Sequence, residues 1–269
     1  MFDATVREGV LRLRRPETRW LSTGWDGGRS RGDAACNVSV PEGFDRTDLG
    51  AYRDERLARA GMQTDGDPPT LFTGVAMEHA RGARLGPVVA YATVGLSNPA
   101  TLPVGPAGAA NDDDAGDPER DDDAGDPERD DDAGDPERDD DASTAAPAEE
   151  PPQRPGTVNL IVGTTRRLAD GAAANLVAVA AEAKAATLLA TAGVPGTTSD
   201  AVIVGDDPTG EPAAFSGSAT PVGAAARVCV RDAVRASLRS RYPDGDTPGS
   251  AADAEHGVVA DDRAEVFEL

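Results

Sequence analysis

The stretch PGTVNLIVGTTRRL, residues 155–168, places an apolar run directly behind a segment made almost entirely of Asp, Glu, Pro and Ala. The run TVNLIVG at 157–163 has the composition of a buried strand. Thr157 and Asn159 are two residues apart, so on an extended chain they point to one face. Polar side chains therefore stand where this strand enters a sheet, and the rest of the sequence supplies the sheet. Further strands are expected at 10–14, 19–22, 36–40, 71–77, 88–94, 201–205 and 213–218, and helices at 48–60, 169–192 and 221–241. Strand and helix patterns interleave on both sides of the acidic segment. The expected fold class is an α+β or mixed α/β sandwich, one domain whose two halves share a sheet system.

The acidic segment explains most of the charge. The chain has 269 residues, a formal net charge of −22 and 39% apolar residues, enough to bury a core. Residues 112–141 hold 18 acids and 3 arginines, and residues 244–269 hold 8 acids and 1 arginine. The remainder is neutral, which removes the case for a nucleic-acid partner. DDDAGDPER occurs at 112–120, 121–129 and 130–138, followed by a fourth DDD. A nine-residue period with no apolar residue larger than Ala buries nothing. The expected organisation is a first half-domain at 1–102, a disordered acidic linker at 103–155, a second half-domain at 156–243 and a disordered acidic tail at 244–269. Lys184 is the only lysine beside 25 arginines, which together with the acidic segments points to a high-GC, salt-adapted organism. In molar salt the Debye length is about 3 Å, so such segments tolerate their own repulsion.

Cys36 and Cys229 form no CxxC pair, and MFDATVREGV has no signal-peptide pattern, so a reduced, cytoplasmic protein is expected. No apolar run is expected to approach the roughly 18 residues that a membrane span requires. His79 and His256 are the only histidines, and His256 lies in the acidic tail, so a multi-histidine metal site is not expected.

The residues suited to chemistry stand in loops at strand ends. LSTGWDGGRS at 21–30 brings Ser22 and Thr23 into a Gly-rich turn, where backbone can approach a ligand closely. VVAYATVGLSNPA at 88–100 ends its strand at Ser97 and Asn98. GTTSDAVIVG at 196–205 places Thr198 and Asp200 at the mouth of another strand, and FSGSATPVG at 215–223 places Ser218 before a helix N-terminus suited to an oxyanion. On the helix at 169–192, Asn175 and Glu182 are seven residues apart and lie within about 20° of each other, whereas Lys184 is some 200° from Glu182. If Asn175 and Glu182 face a pocket, Lys184 does not.

Taken in order, RWLSTGWDGG, ATVGLSN, GTVNLIVGTTRRLADGAAANLVAVAAEAKAATLL, GVPGTTSDAVIVG and FSGSATPVG resemble the CbiZ-type adenosylcobinamide amidohydrolases. The resemblance covers most of 10–100 and 156–235 and leaves out the repeat and the tail. Asp26 stands where that pattern has an Asn before the Gly pair. The resemblance implies hydrolysis of the amide that joins the corrin ring's side chain to aminopropanol, giving adenosylcobyric acid, with the corrinoid as substrate and not cofactor. Amide hydrolysis needs a nucleophile or activated water, donors for the tetrahedral oxyanion and an acid for the leaving amine. Thr157, Glu182 and Asp200 are the candidate catalytic residues, and Ser22, Thr23, Asn98, Asn159, Asn175, Thr198 and Ser218 the candidate substrate contacts. A second similarity, in layout, is to the self-processing ornithine acetyltransferase and DmpA-type aminopeptidase group, in which Thr157 would be the N-terminal nucleophile of a second fragment. A non-catalytic corrinoid-binding protein is the alternative, and it would need the same pocket without the carboxylates.

Overall fold

The structure is a computed structural model that describes residues 2–103, 158–245, 247, 251, 254, 256–262 and 264–268. The expected acidic linker, apart from Pro103, and Thr157 both lie outside the described residues. In chain order the first half has β1 (Asp3–Arg7), β2 (Val10–Ser22), β3 (Gly28–Ser39), α1 (Leu49–Ala60), β4 (Thr70–Thr73), a 3-10 turn at Met77–His79, β5 (Arg81–Leu85), β6 (Val88–Val94) and β7 (Pro99–Thr101). The second half has β8 (Val158–Thr164), β9 (Arg167–Leu168), α2 (Asp170–Ala192), β10 (Gly196–Thr197), β11 (Ala201–Asp206), β12 (Pro212–Ala213), α3 (Pro221–Arg241) and β13 (Val258–Val259).

The main sheet runs β4-β3-β2-β11-β8-β6-β5, with β1 paired to β2. The two halves meet at β8, which lies antiparallel to β6, from Val88 opposite Thr164 to Val94 opposite Val158, and parallel to β11. The mixed α/β sandwich expected from the sequence is therefore the observed architecture. VNLIVG is apolar throughout because both its faces are covered. Val158, Leu160 and Val162 pack under α2 and α3, while Ile161 points the other way.

That other face is the inside of a curled sheet. Asn37 on β3 and Asn159 on β8 are three strands apart in the hydrogen-bonded order, yet the Asn159 amide donates to Asn37 Oδ1 at 3.0 Å and to the Phe72 carbonyl of β4 at 2.9 Å. The β4 edge thus folds over β8. Phe2, Leu13, Trp20, Leu71, Val89, Ile161 and Ile203 fill the space between the two walls. Gly163 and Gly205 are register partners, and the Phe2 and Trp20 rings lie where their side chains would stand. Burying an aromatic or large aliphatic side chain of this kind contributes about 1.5–3 kcal/mol, so strand glycines are tolerated here for the rings they seat.

Helices close the outer faces. α1 covers β3 and β4 through Tyr52, Leu57 and Ala60, and α2 and α3 pack together over β6, β8 and β11. α2 is long and apolar enough by length and composition to cross a membrane, contrary to the expectation that no such run is present. Its Ala172, Leu176, Val179, Ala183 and Leu188 recur at helical spacing and are buried against the sheet and α3. α3 begins at Thr220, whose hydroxyl accepts from the Gly223 N–H at 3.0 Å, with Pro221 in the first helical turn.

Three further differences from the sequence-based expectation have physical reasons. The strands expected at 10–14 and 19–22 are one strand, β2, whose pairing with β3 shifts register between Arg14 and Thr18, around Pro16. β1 and the start of β3 are exposed along their length and carry no alternation to read. Within the expected tail, β13 pairs parallel with β7 at Ala100 and Thr101.

Cys36 and Cys229 are both free and buried. Burial pushes the Cys36 thiol up from its ordinary 9.0 to about 12, against the opposing pull of Arg12 and Arg53. Its folded value lies above its unfolded one, so the stability it contributes is fully present below pH 9.0 and is lost as the pH rises toward about 12. Two results are expected: native protein does not react with a thiol reagent at neutral pH, and Cys36→Ala flattens the alkaline limb of a melting-temperature profile over that window. Rapid native labelling of Cys36 would contradict its placement.

Candidate active site

The predicted site residues fall into three groups. The first gathers at one end of the sheet, where β2 and β6 finish and β8 and β11 begin. The loop after β6 is positioned by α3. Val94 N–H donates to Ser237 Oγ at 3.0 Å, and Leu96 N–H to the Tyr242 hydroxyl at 2.9 Å. This holds Asn98, which is 4% exposed, against the loop between β10 and β11. The Asn98 side-chain amide donates to Thr198 Oγ1 at 2.6 Å and to Ser199 Oγ at 3.4 Å, and the Asn98 backbone carbonyl accepts from the Thr198 N–H at 3.1 Å. One amide therefore orients two hydroxyls.

Asp200 fixes the same loop from below. Its carboxylate accepts from the Thr197 N–H at 3.1 and 3.2 Å, accepts from the Thr197 hydroxyl, and is bonded to the Lys184 ammonium. The side chains of Lys184 and Asp200 are only 13% and 15% exposed. Gly196 covers the pair, and a side chain there would collide with both the Asp200 carboxylate and the Lys184 ammonium. A compact ammonium suits this space better than a planar guanidinium.

Thr23 ties the first loop to this cluster, since its N–H donates to the Val202 carbonyl at 3.0 Å and its hydroxyl accepts from the Val202 N–H at 2.9 Å. Ser22, 6% exposed, accepts from the Gly24 N–H at 3.1 Å. Ser22 also lines a cleft of about 290 Å³ bounded by Trp25, Asp26, Arg29, Arg53 and Asp67. A smaller cavity of about 200 Å³, between the ends of α2 and α3 around Leu238 and Tyr242, lies away from these loops.

The second group is on a different side of α2. Asn175 donates to Ser216 Oγ at 3.1 Å, and the Arg227 guanidinium on α3 binds Glu182 and donates to Ser218 Oγ at 3.4 Å. Asn175 and Glu182 do share a face, and because Lys184 faces Asp200, that face is turned from the Asp200 cluster. Glu182 is exposed, with 59% of its side chain accessible, in an ion pair that bridges two helices. The structure separates it from Asp200.

The third group is Asn159 alone. It is 1% exposed and its amide nitrogen braces the inside of the sheet, while its Oδ1 is buried without a hydrogen-bond partner among the described residues. Burial on both faces of β8 places it there, apart from the loops that carry the other expected substrate contacts. His79 is remote from the cluster, at the end of α3, with Nδ1 3.1 Å from Ser240 Oγ. Among the described residues no three His, Cys, Asp or Glu side chains gather as a metal-binding set.

Lys184, Trp25 and Arg53 are the site residues that sequence reasoning leaves out. Lys184 carries a signal, as the single lysine in a chain that otherwise uses arginine. Trp25 and Arg53 carry none, since they meet only when α1 packs beside the 22–28 loop.

The family model described as adenosylcobinamide amidohydrolase, CbiZ, matches residues 3–245. A curated protein of Halobacterium salinarum named adenosylcobinamide amidohydrolase is 51% identical over 267 residues, covering 99% of each chain.

Proposed function

The chain belongs to the adenosylcobinamide amidohydrolase family, and from that membership we propose that it hydrolyses adenosylcobinamide to adenosylcobyric acid and aminopropanol, in the salvage of corrinoids. The observation that carries this is the identity of 51% across 99% of both chains, which spans every loop of the Asn98–Asp200 cluster.

The reaction adds water across a C–N bond. The carbonyl carbon gains the water oxygen, and the nitrogen departs as an amine after taking a proton. The Asn98-held hydroxyls of Thr198 and Ser199, with Ser22 and Thr23 beside them, supply donors and acceptors for the amide and its oxyanion. Asp200 and Lys184 are the ionisable pair at this point, and we assign acid–base work and loop positioning to them and not to Glu182. Thr157 has two roles open to it: as nucleophile it would expel the amine and form an ester that water then cleaves, restoring its hydroxyl, and with an activated water as nucleophile it would donate to the amide oxygen. The corrinoid is substrate, and no cofactor is assigned. Two buried free thiols suit a reducing compartment, so we place the enzyme in the cytoplasm, and we read the acidic surplus as salt adaptation, in keeping with the Halobacterium salinarum relative.

The test is to incubate the purified protein with adenosylcobinamide in high salt and to look for both products by mass spectrometry. Intact substrate recovered from folded protein sinks the proposal. Glu182→Gln, made in the same assay, is expected to stay within about twofold of wild type, because an exposed ion pair contributes only about 0–1 kcal/mol. A loss of about 100-fold, the scale of a general acid or base, would return Glu182 to the chemistry.

A further inference from the structure

The cleft beside Ser22 is a built feature. The loop that forms its wall folds back so tightly that a side chain at Gly27 would meet the Ser22 carbonyl at 2.6 Å and the Gly24 carbonyl at 2.7 Å. Asp26 and Gly28 both take positive φ, 48° and 107°. Trp25 is half-buried and fixed on two sides. Its ring meets Phe72 edge-on with centroids 5.9 Å apart, and its far edge lies 3.5 Å from where a side chain on Gly50 would stand. Arg53, 6% exposed, is held by Asp54 and Asp67. The cleft is lined by Trp25 together with Arg29, Arg53, Asp26 and Asp67, and its guanidinium groups already hold carboxylates, Arg53 those of Asp54 and Asp67 and Arg29 that of Asp170.

Guanidinium groups that already hold carboxylates do not select an ion. They match a neutral group that both donates and accepts hydrogen bonds, as a primary carboxamide does. The volume of about 290 Å³ stands at the small end of the range of about 300–1,000 Å³ for ligand pockets, a size that suits one arm of a larger molecule. Ser22 lines this cleft, and Thr23, the next residue, is bonded to Val202 beside the Asp200 loop, so a molecule with one arm here has its next arm near that loop. A corrin ring is an apolar macrocycle with neutral carboxamide arms around its rim.

We propose that this cleft is a recognition subsite for a peripheral carboxamide arm of the corrinoid, with Trp25 against the rim of the ring. The proposal rests on the amidohydrolase reading above, and it gives the cleft a role in substrate choice that is separate from bond cleavage.

The test compares wild type, Trp25→Ala and Trp25→Phe, with steady-state kinetics on adenosylcobinamide and equilibrium binding of adenosylcobyric acid, which keeps the ring and the other arms but lacks the scissile amide. Contacts made equally in ground and transition state change KM and spare kcat, so Trp25→Ala is expected to raise KM and to weaken adenosylcobyric acid binding by about tenfold, with kcat retained. Trp25→Phe restores most of both. Should Trp25→Ala not fold, Ser30→Trp fills the cleft from an exposed position on its rim and is expected to give the same KM rise. Unchanged KM and unchanged binding in an active, folded variant overturns the subsite and leaves the enzyme's activity intact. A wild type that neither cleaves adenosylcobinamide nor binds adenosylcobyric acid overturns both.

Discussion

Asp200→Asn lowers the turnover of adenosylcobinamide by about 100-fold or more, the scale of a lost acid or base group. The substitution keeps the shape of the side chain and removes its charge. Asp200 accepts from the Thr197 N–H and hydroxyl on one side and binds the Lys184 ammonium on the other. A neutral amide satisfies neither partner as well, because hydrogen bonds to an ionised acceptor are roughly twice as strong as neutral ones. It also leaves the Lys184 charge, 13% exposed, without its counter-ion. The Thr198 and Ser199 hydroxyls then lose the loop that aims them. Turnover is measured beside the melting temperature, so that a folded, inactive variant is distinguished from an unfolded one. Wild-type turnover in the folded variant removes Asp200 from the chemistry.

Thr157→Ala is expected to cost turnover by about 100-fold or more while corrinoid binding persists, since either role open to Thr157 is lost with its hydroxyl. Thr157→Ser separates the two roles. A nucleophile activated by a neighbouring base is rebuilt imperfectly by Ser, whereas a simple hydrogen-bond donor is replaced almost silently. The self-processing chemistry suggested by the layout before Thr157 demands a free amine there, and active protein would then run as two fragments divided after Gly156. An active chain of full length excludes self-processing without touching the hydrolysis itself. Full activity in Thr157→Ala excludes Thr157 from either role.

The fold was legible where burial on both faces leaves an unbroken apolar run. VNLIVG and AVIVG are such runs, and β8 and β11 are found where the sequence places them. The three helices appear within a residue or so of their expected bounds, because Gly61, Gly193 and Pro221 mark ends that obey local rules. The curl of the sheet was not legible. It rests on Asn37, Asn159 and the Phe72 carbonyl meeting across three strands, and no local pattern encodes a contact between residues 87 and 122 positions apart. The same curl puts the Asn159 amide nitrogen to work as an internal brace, which its place beside Thr157 in the sequence does not reveal. The loops of the site were legible as loops, since Gly, Ser, Thr and Asn at strand ends are a local signal. Their grouping was not, because it depends on which side of α2 faces β10. The helical phase sets Glu182 and Lys184 on different sides of α2, and it is Lys184, not the expected Glu182, that meets Asp200.

The central claim is that this chain adds water to the amide of adenosylcobinamide. It is tested most directly by running the reaction in water enriched in heavy oxygen and weighing both products. The expected result is adenosylcobyric acid carrying one heavy oxygen in its new carboxyl group, together with an equal amount of unlabelled aminopropanol. Adenosylcobinamide recovered bound but uncut from folded protein would contradict the claim and leave a corrinoid-binding protein in its place.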